Sequence, residues 1–156
     1  MDINDKDAGA YLALMGGGGA RGVAAGAGDA TEALGAIVDM QAEDGPMSGA
    51  IFVAGQCTLT DLKTFSLTEL KIEHGAAANL SDAVDFKAVA FTDLVVSDGG
   101  GAETFAVKTR VNLNGINRYW RVTVTPDLDH TGTDTFELGF GFAAIGDSSP
   151  VADGAD

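Results

Sequence analysis

The sequence predicts an all-β fold: an antiparallel β-sandwich or jelly-roll-like domain over residues 31–146, preceded by an extended glycine- and alanine-rich N-terminal arm over residues 1–30 and followed by an acidic tail over residues 147–156. Apolar residues beyond Ser48 recur with a period of two, which is the alternation of side chains along a strand. About seven such runs follow one another at short spacing, a pattern typical of sandwiches. A chain of 156 residues has the size of one compact domain.

The first 30 residues differ in composition from the rest of the chain. They include four consecutive glycines at residues 16–19, followed by a run of alanines and glycines. Glycine-rich backbone has high conformational entropy and few side chains to bury, so this segment is not expected to fold alone. We therefore expect an extended arm that gains order by wrapping a neighbouring subunit.

Residues 31–41 fit two kinds of secondary structure. Asp29 and Glu32 resemble a capping box that opens a helix, whereas residues 34–40, LGAIVDM, contain a glycine and β-branched side chains suited to a strand. We favour the strand. A buried strand follows at residues 50–54, and the next has an irregularity between Leu67 and Leu70, where the alternation slips by one residue.

The remaining strands are separated by glycine- and proline-containing turns. Residues 84–96 carry one long or two short strands, and Asn114 with Gly115 predicts a type I′ hairpin turn. Pro126 is expected to end the strand that follows this hairpin. In the last strand, Gly139 and Gly141 lie on the face opposite an apolar row, which consists of Phe136, Leu138, Phe140 and Phe142.

The net charge of −14 excludes several classes of partner. A chain this acidic repels a phosphate backbone and an anionic membrane surface, so we expect neither nucleic acid nor membrane as a partner. No apolar run approaches the roughly 20 residues needed to span a bilayer. The N-terminus lacks the basic region and apolar stretch of a signal peptide, which predicts synthesis in a cytoplasm.

One segment resembles part of an enzyme. Residues 12–22, LALMGGGGARG, are similar to the glycine-rich oxyanion loop of patatin-like lipid hydrolases. That family also needs a serine in a G-x-S-x-G elbow, but Ser48 lies in the sequence GPMSG, where proline replaces the first glycine. Asp98 is followed by glycine, as in a common turn. We therefore expect no catalytic residues, and a patatin-like hydrolase stays a remote alternative.

No metal or cofactor site is expected either. One stretch has the oxygen spacing that starts a calcium loop, but the position of its closing glutamate is Leu138, so we favour an ordinary acidic turn. The residues of this stretch are Asp127, Asp129, Thr131, Gly132 and Asp134. His74 and His130 are too far apart in the sequence to indicate a zinc motif.

Two further residue types have ordinary structural interpretations. The single cysteine, Cys57, excludes an intrachain disulfide and is expected to be a buried thiol in a strand. Tyr119 and Trp120 could form a sugar-stacking platform. Because Trp120 is in phase with Val122 and Val124, we favour a position in the core.

The C-terminal third resembles a family of virion proteins. Residues 114–126, NGINRYWRVTVTP, precede a turn rich in Thr, Gly and Asp and a final apolar strand. This order is similar to the end of small tailed-bacteriophage virion proteins, in which a strand of the form R-Y-x-R-V-x-V-T-P recurs. Short strands upstream, near residues 38–39, 51–53 and 70–74, follow a similar order, so the resemblance covers roughly residues 31–146.

The resemblance implies a structural protein of the phage particle, a capsid decoration or cement protein on the outer head surface. Its partners would be the major capsid protein and copies of itself, as a homotrimer or similar small ring, because decoration proteins bind at symmetry axes. The acidic charge agrees with the outer side of the shell, since the interior faces packed DNA. The competing interpretation is a tail or host-attachment module in which exposed loops, such as residues 97–103, bind a glycan or receptor.

Overall fold

The computed structural model describes residues 12–24, 30–41, 48–129 and 133–145. Within these residues the chain consists of β-strands and turns, and the predicted all-β class is confirmed as two antiparallel sheets packed face to face. The strands are β1 (Leu12–Ala24), β2 (Ala33–Leu34), β3 (Val38–Asp39), β4 (Ser48–Leu59), β5 (Thr64–Gly75), β6 (Val84–Val96), β7 (Gly101–Asn112), β8 (Tyr119–Leu128) and β9 (Thr135–Ile145).

The strands pair in a nested order. One sheet has four strands in the order β1-β9-β4-β7, and the other has five, in the order β2-β8-β5-β6 with β3 also paired to β8. Strands from the first part of the chain therefore pair with strands from the second part in reverse order: β1 with β9, β2 and β3 with β8, β4 with β7, and β5 with β6. The chain follows the path of one long hairpin that is folded over itself.

The glycine-rich segment lies in the first sheet. Strand β1 pairs antiparallel with β9 at residues 12–15 and again at residues 19–24, and the register shifts between Met15 and Gly19. The structure thus places residues 12–24 at a sheet edge, whereas the sequence predicted an arm outside the domain. Glycine-rich backbone does not fold alone, but the otherwise unpaired edge of β9 offers this segment hydrogen bonds along its length. Residues 1–11, 25–29 and 146–156 lie outside the described residues.

The segment at residues 31–41 is extended, and the preference for a strand over a helix is confirmed. It forms two short strands along β8, in which Ala33 is opposite Val124 and Val38 is opposite Trp120. Between them the Gly35 N–H donates to the Val122 carbonyl at 2.9 Å, so the contact with β8 continues across the gap. The two pieces behave as one interrupted strand.

The predicted irregularity in β5 is confirmed. The β5–β6 register shifts between Leu67 and Leu70, and the β5–β8 register shifts between Leu67 and Glu69. The prediction for Pro126 is wrong, because β8 continues through it to Leu128. Pro126 is opposite Leu67, where the irregularity begins, and the pairing of β8 with β2 reaches only Val124. The missing N–H of Pro126 therefore falls where the ladder is already interrupted.

The turn at Asn114 and Gly115 exists, but the predicted hairpin is wrong. The Ile116 N–H donates to the Leu113 carbonyl at 3.0 Å, and Gly115 has a φ of 85°. Asn114 is not among the residues with positive φ, so the geometry is that of a type II turn and not of a type I′ turn. Strand β7 pairs with β4 whereas β8 pairs with β5, and the turn carries the chain from one sheet to the other.

The core lies between the two sheets, and all of its buried hydrophobic residues except Val38 follow Ser48. Trp120, Val122 and Val124 are completely buried, which confirms the core interpretation of the tryptophan. The Trp120 ring meets the Phe142 ring edge-on at 5.0 Å between centroids. Phe65 packs against Phe105 and Phe136 at 4.8 and 5.2 Å.

Candidate functional site

The residues of the hydrolase interpretation lie far apart. Ser48 is exposed at the first position of β4, opposite Asn112 of β7. Asp98 lies in the turn before β7, and β7 begins opposite Leu59, at the other end of β4. About 11 strand residues separate the two ends, which is on the order of 35 Å. The glycine run of β1 is separated from β4 by β9. The fold therefore does not bring these three features together.

The acidic turn before β9 has a structural role for one of its aspartates. Asp134 is 2% exposed, and its carboxylate accepts hydrogen bonds from the Thr60 N–H at 3.1 Å and the Thr60 hydroxyl at 2.8 Å. It fastens the end of β4 to the start of β9. His130, Thr131 and Gly132 lie outside the described residues. In the part of the chain that is described, no group of three or more His, Cys, Asp or Glu residues is arranged to hold a metal ion.

His74 and Cys57 also have structural surroundings. The Asn117 N–H donates to Nδ1 of His74 at 2.8 Å, and the imidazole ring lies 5.0 Å from the ring of Phe86. Cys57 is buried in β4, as predicted, and burial raises the pKa of its thiol to about 11. The thiol is therefore protonated at neutral pH and is a poor nucleophile.

A charged network, which the sequence analysis missed, covers the outer face of the five-stranded sheet. Its centre is the Nζ atom of Lys71, which lies 3.2 Å from one carboxylate oxygen of each of four residues: Glu32, Glu69, Glu73 and Asp85. Glu73 also accepts from Arg121 Nε at 3.0 Å. We call these six side chains the Lys71 network. The alternation Glu69, Lys71, Glu73 along β5 is the sequence signal that indicates one charged face.

The surroundings of Lys71 keep its side chain charged. Only 12% of the side chain is exposed, and this burial by itself would lower its pKa. The hydrogen bonds to the surrounding carboxylates outweigh burial and raise the Lys71 pKa above its ordinary value. A protonated amine is neither a nucleophile nor a base, so the role that the contacts indicate for Lys71 is to hold the surrounding carboxylates across the strands.

The outer face of the four-stranded sheet has a different character. We call this surface the open face. One half of it surrounds a shallow cavity of about 610 Å³, and we call this half the bare half. Residues of the bare half that line the cavity are Ala20, Gly22, Ala54, Gln56, Thr104, Glu137 and Gly139. Arg21, Gly55 and Leu138 also border the cavity, but Arg21 is opposite the buried Leu138, on the core-facing side of the sheet. Among the described residues, Glu137 is therefore the single charged side chain of the bare half.

Two glycines near the cavity differ in what the absent Cβ would meet. A Cβ on Gly55 would collide with the Glu137 carbonyl oxygen, so this glycine is required by the packing of β4 against β9. A Cβ on Gly139 would have nothing within 4 Å. The sequence placed Gly139 on a face opposite the apolar row, and this placement is confirmed, because Phe140 and Leu138 are buried while Gly139 is exposed. The fold itself does not require the absence of a side chain at Gly139.

The other half of the open face carries positive charge. Lys108 of β7 is opposite Phe52 of β4, and Arg110 of β7 is opposite Ala50. Both cationic side chains are exposed, and Phe52 is 36% exposed. We call these four residues, with Ala143 of β9 beside Ala50, the cationic half. Among the described residues neither Lys108 nor Arg110 makes an ion pair.

Comparisons with known proteins found no match to this chain among protein-family models, curated proteins or solved structures. The described strands and turns include no helix of the length and apolarity that crossing a membrane requires. The fold and the two sheet faces are therefore the observations from which a function has to be argued.

Proposed function

We propose that the chain is a non-enzymatic structural protein of a tailed-bacteriophage particle, which binds the outer capsid surface as a decoration or cement protein and stabilises the head. The observation that carries the proposal is the open face, a sheet surface four strands wide with small side chains over half its length. Decoration requires buried area and complementary shape, and it requires no reactive group. An accessible sheet face of this kind supplies both.

The strand order supports the same proposal. If β2 and β3 are counted as one interrupted strand, the nested pairing produces two sheets of four strands each. We infer that the sandwich is a jelly roll, the architecture that viral capsid domains and some lectins use. Fold alone does not define function, so the strand order adds support only together with the open face and the resemblance over residues 31–146.

The charge of the chain favours the outer side of the shell. At a net charge of −14 the protein would be repelled by packed DNA inside a head. The proposed partners are the major capsid protein and further copies of this chain, in a homotrimer or similar small ring at a symmetry axis. Neither nucleic acid nor a membrane is a proposed partner.

Co-sedimentation with purified phage heads tests the proposal. Heads that lack the protein are mixed with increasing amounts of it and pelleted, and heads of an unrelated phage serve as the control. We expect saturable binding to the cognate heads at hundreds of copies per particle, and none to the control heads. A protein that stays in the supernatant would contradict the proposal.

The second candidate is a tail or host-attachment module that binds a glycan or receptor. The cavity of the bare half favours it, because its volume suits a small ligand and Gln56, Thr104 and Glu137 offer polar groups. Copy number separates the two candidates, since a tail-tip protein is present in few copies per particle. For the remote hydrolase alternative, Ser48→Ala should leave any measured esterase activity unchanged if the serine is not a nucleophile.

A further inference from the structure

We infer that the open face is the surface that contacts the partner, and that the partner presents a flat, acidic protein surface there. The inference rests on the proposed function and adds to it the docking surface and the chemistry of the partner.

The charge of the open face is the first argument. The chain as a whole has a net charge of −14, yet the bare and cationic halves together carry Lys108, Arg110 and Glu137, a net charge of +1. A cationic region on an acidic protein attracts a partner with carboxylates and repels other cationic surfaces.

The pairing of the cations is the second argument. Lys71, Arg118 and Arg121 all form ion pairs with carboxylates of this chain. Lys108 and Arg110 do not pair with any described residue, and the same is true of Lys63 and Lys87. Lys108 and Arg110 differ in lying together on one strand face. Within the described part of the chain these two adjacent cations are available for carboxylates of another molecule.

The opposite side of the sandwich lacks these properties. On the outer face of the five-stranded sheet, the carboxylates of Glu69, Glu73 and Asp85 are engaged by Lys71, and Glu73 is also held by Arg121. There two cations, Lys71 and Arg121, hold four carboxylates, which leaves a net charge of −2 that would repel an acidic partner. Desolvating these ion pairs on binding would also cost free energy. The comparison favours the four-stranded sheet as the docking side.

Shape and area complete the argument. Phe52 is an exposed aromatic side chain directly opposite Lys108, and an aromatic anchor beside cations is typical of the centre of a protein interface. At Gly139 a Cβ would meet nothing within 4 Å, so the bare surface there allows a flat partner to approach the backbone. Four strands of this length present on the order of 600–700 Å², close to the roughly 800 Å² per partner of a stable interface.

Two pairs of matched variants test the inference on cognate heads. Lys108→Glu reverses a charge on the open face, and Lys87→Glu makes the same change at an exposed position of β6 in the other sheet. Ala54→Arg covers the bare half, and Ala90→Arg places the same side chain at another exposed position of β6. All four positions are exposed, and circular dichroism with thermal melting establishes that each variant is folded.

We expect Lys108→Glu and Ala54→Arg to raise the Kd for heads roughly 10- to 100-fold, and the two β6 variants to change it by less than about twofold. Raising the salt concentration should weaken wild-type binding more than that of Lys108→Glu, because one attractive charge is already lost. These results would support an acidic protein surface as the partner.

Three outcomes would overturn the inference while leaving the proposed function in place. Equal Kd values for open-face and β6 variants would place the docking surface elsewhere. If the free protein is an oligomer that Ala54→Arg dissociates in sedimentation velocity, the open face binds a second copy of this chain. If the protein binds a glycan array and Ala54→Arg abolishes that binding, the open face binds a sugar. Failure of wild-type protein to bind heads would instead remove the proposed function, and the inference with it.

Discussion

Glycines of the four-stranded sheet differ in what surrounds the position of the missing Cβ. At Gly49 a Cβ would collide with the Ala143 carbonyl oxygen and the Phe142 ring, and at Gly55 with the Glu137 carbonyl oxygen. These two residues allow β4 and β9 to approach each other. Gly139 faces open space and has no such constraint. The distinction between a glycine required by packing and one that keeps a surface bare is visible only at the scale of single atoms.

Alanine substitutions should separate these two roles. Gly139→Ala is expected to raise the free energy of unfolding by about 0.4–1 kcal/mol, because it restricts the unfolded chain and its φ is outside the positive region. Gly55→Ala should lower it by about 1–3 kcal/mol through the collision with β9. Urea unfolding of both variants measures the difference. Equal effects of the two substitutions would mean that the local packing is not what the structure shows.

Strand β1 is the element whose role changes most between sequence and structure. The register shift lies in its glycine run. Met15 pairs with Phe142 and Gly19 with Phe140, so residues 16–18 of β1 correspond to the single β9 residue Gly141. Without β1 the edge of β9 would be unpaired, and such an edge is prone to pair with other chains. The segment is therefore part of the sandwich, whether or not residues before it contact another subunit.

Deletion of residues 1–24 is expected to lower the thermal unfolding midpoint strongly or to cause aggregation, because all ten residue pairs between β1 and β9 are lost. Deletion of residues 1–11, which leaves β1 intact, is the matched control and should retain the fold. Differential scanning calorimetry and size-exclusion chromatography measure both effects. If the longer deletion unfolds at the wild-type temperature, β1 does not contribute to the stability of the sheet.

Across the whole molecule, the Lys71 network connects segments that are distant in the sequence. Lys71 of β5 forms ion pairs with Glu32, which precedes β2, and with Asp85 of β6. Glu73 of β5 forms ion pairs with both Lys71 and Arg121 of β8. Beneath it the Thr123 hydroxyl is buried without a hydrogen-bond partner among the described residues. Through these contacts the network links β5 to both of its neighbours, β6 and β8, and to the residue before β2.

Loss of the central amine should destabilise the protein. Lys71→Met leaves Glu32, Glu69 and Asp85 without their cation, and Glu73 with Arg121 alone. We expect about 2–3 kcal/mol less unfolding free energy, whereas Lys87→Met at an exposed position of β6 should change it little. Because the Lys71 pKa is raised by folding, its stabilisation is complete below the ordinary pKa of 10.5 and is lost as the pH rises through the folded value.

Urea unfolding at pH 7 and above pH 11 measures this difference directly. The gap between wild type and Lys71→Met should shrink at the higher pH, while the Lys87→Met control follows the wild type. A gap that is the same at both values would show that the methionine acts through packing and not through charge.

The alternation of side chains by itself determined much of this protein: the all-β class, the two-sheet sandwich, the burial of Trp120, the irregularity after Leu67 and the bare side of Gly139. These properties follow from the period of two with which side chains alternate between the faces of a strand, and a sequence displays that period directly. The charged face of β5 could have been predicted in the same way from Glu69, Lys71 and Glu73.

Only the tertiary structure decided which strands became neighbours. It paired β1 with β9, so that the glycine-rich segment joined a sheet, and it separated β7 from β8 despite the turn at Asn114. The same pairing placed Phe52 beside Lys108 and assembled the open face. Partner choice depends on burial and on closing long loops, which are properties of the whole chain and leave no periodic signal in any one segment.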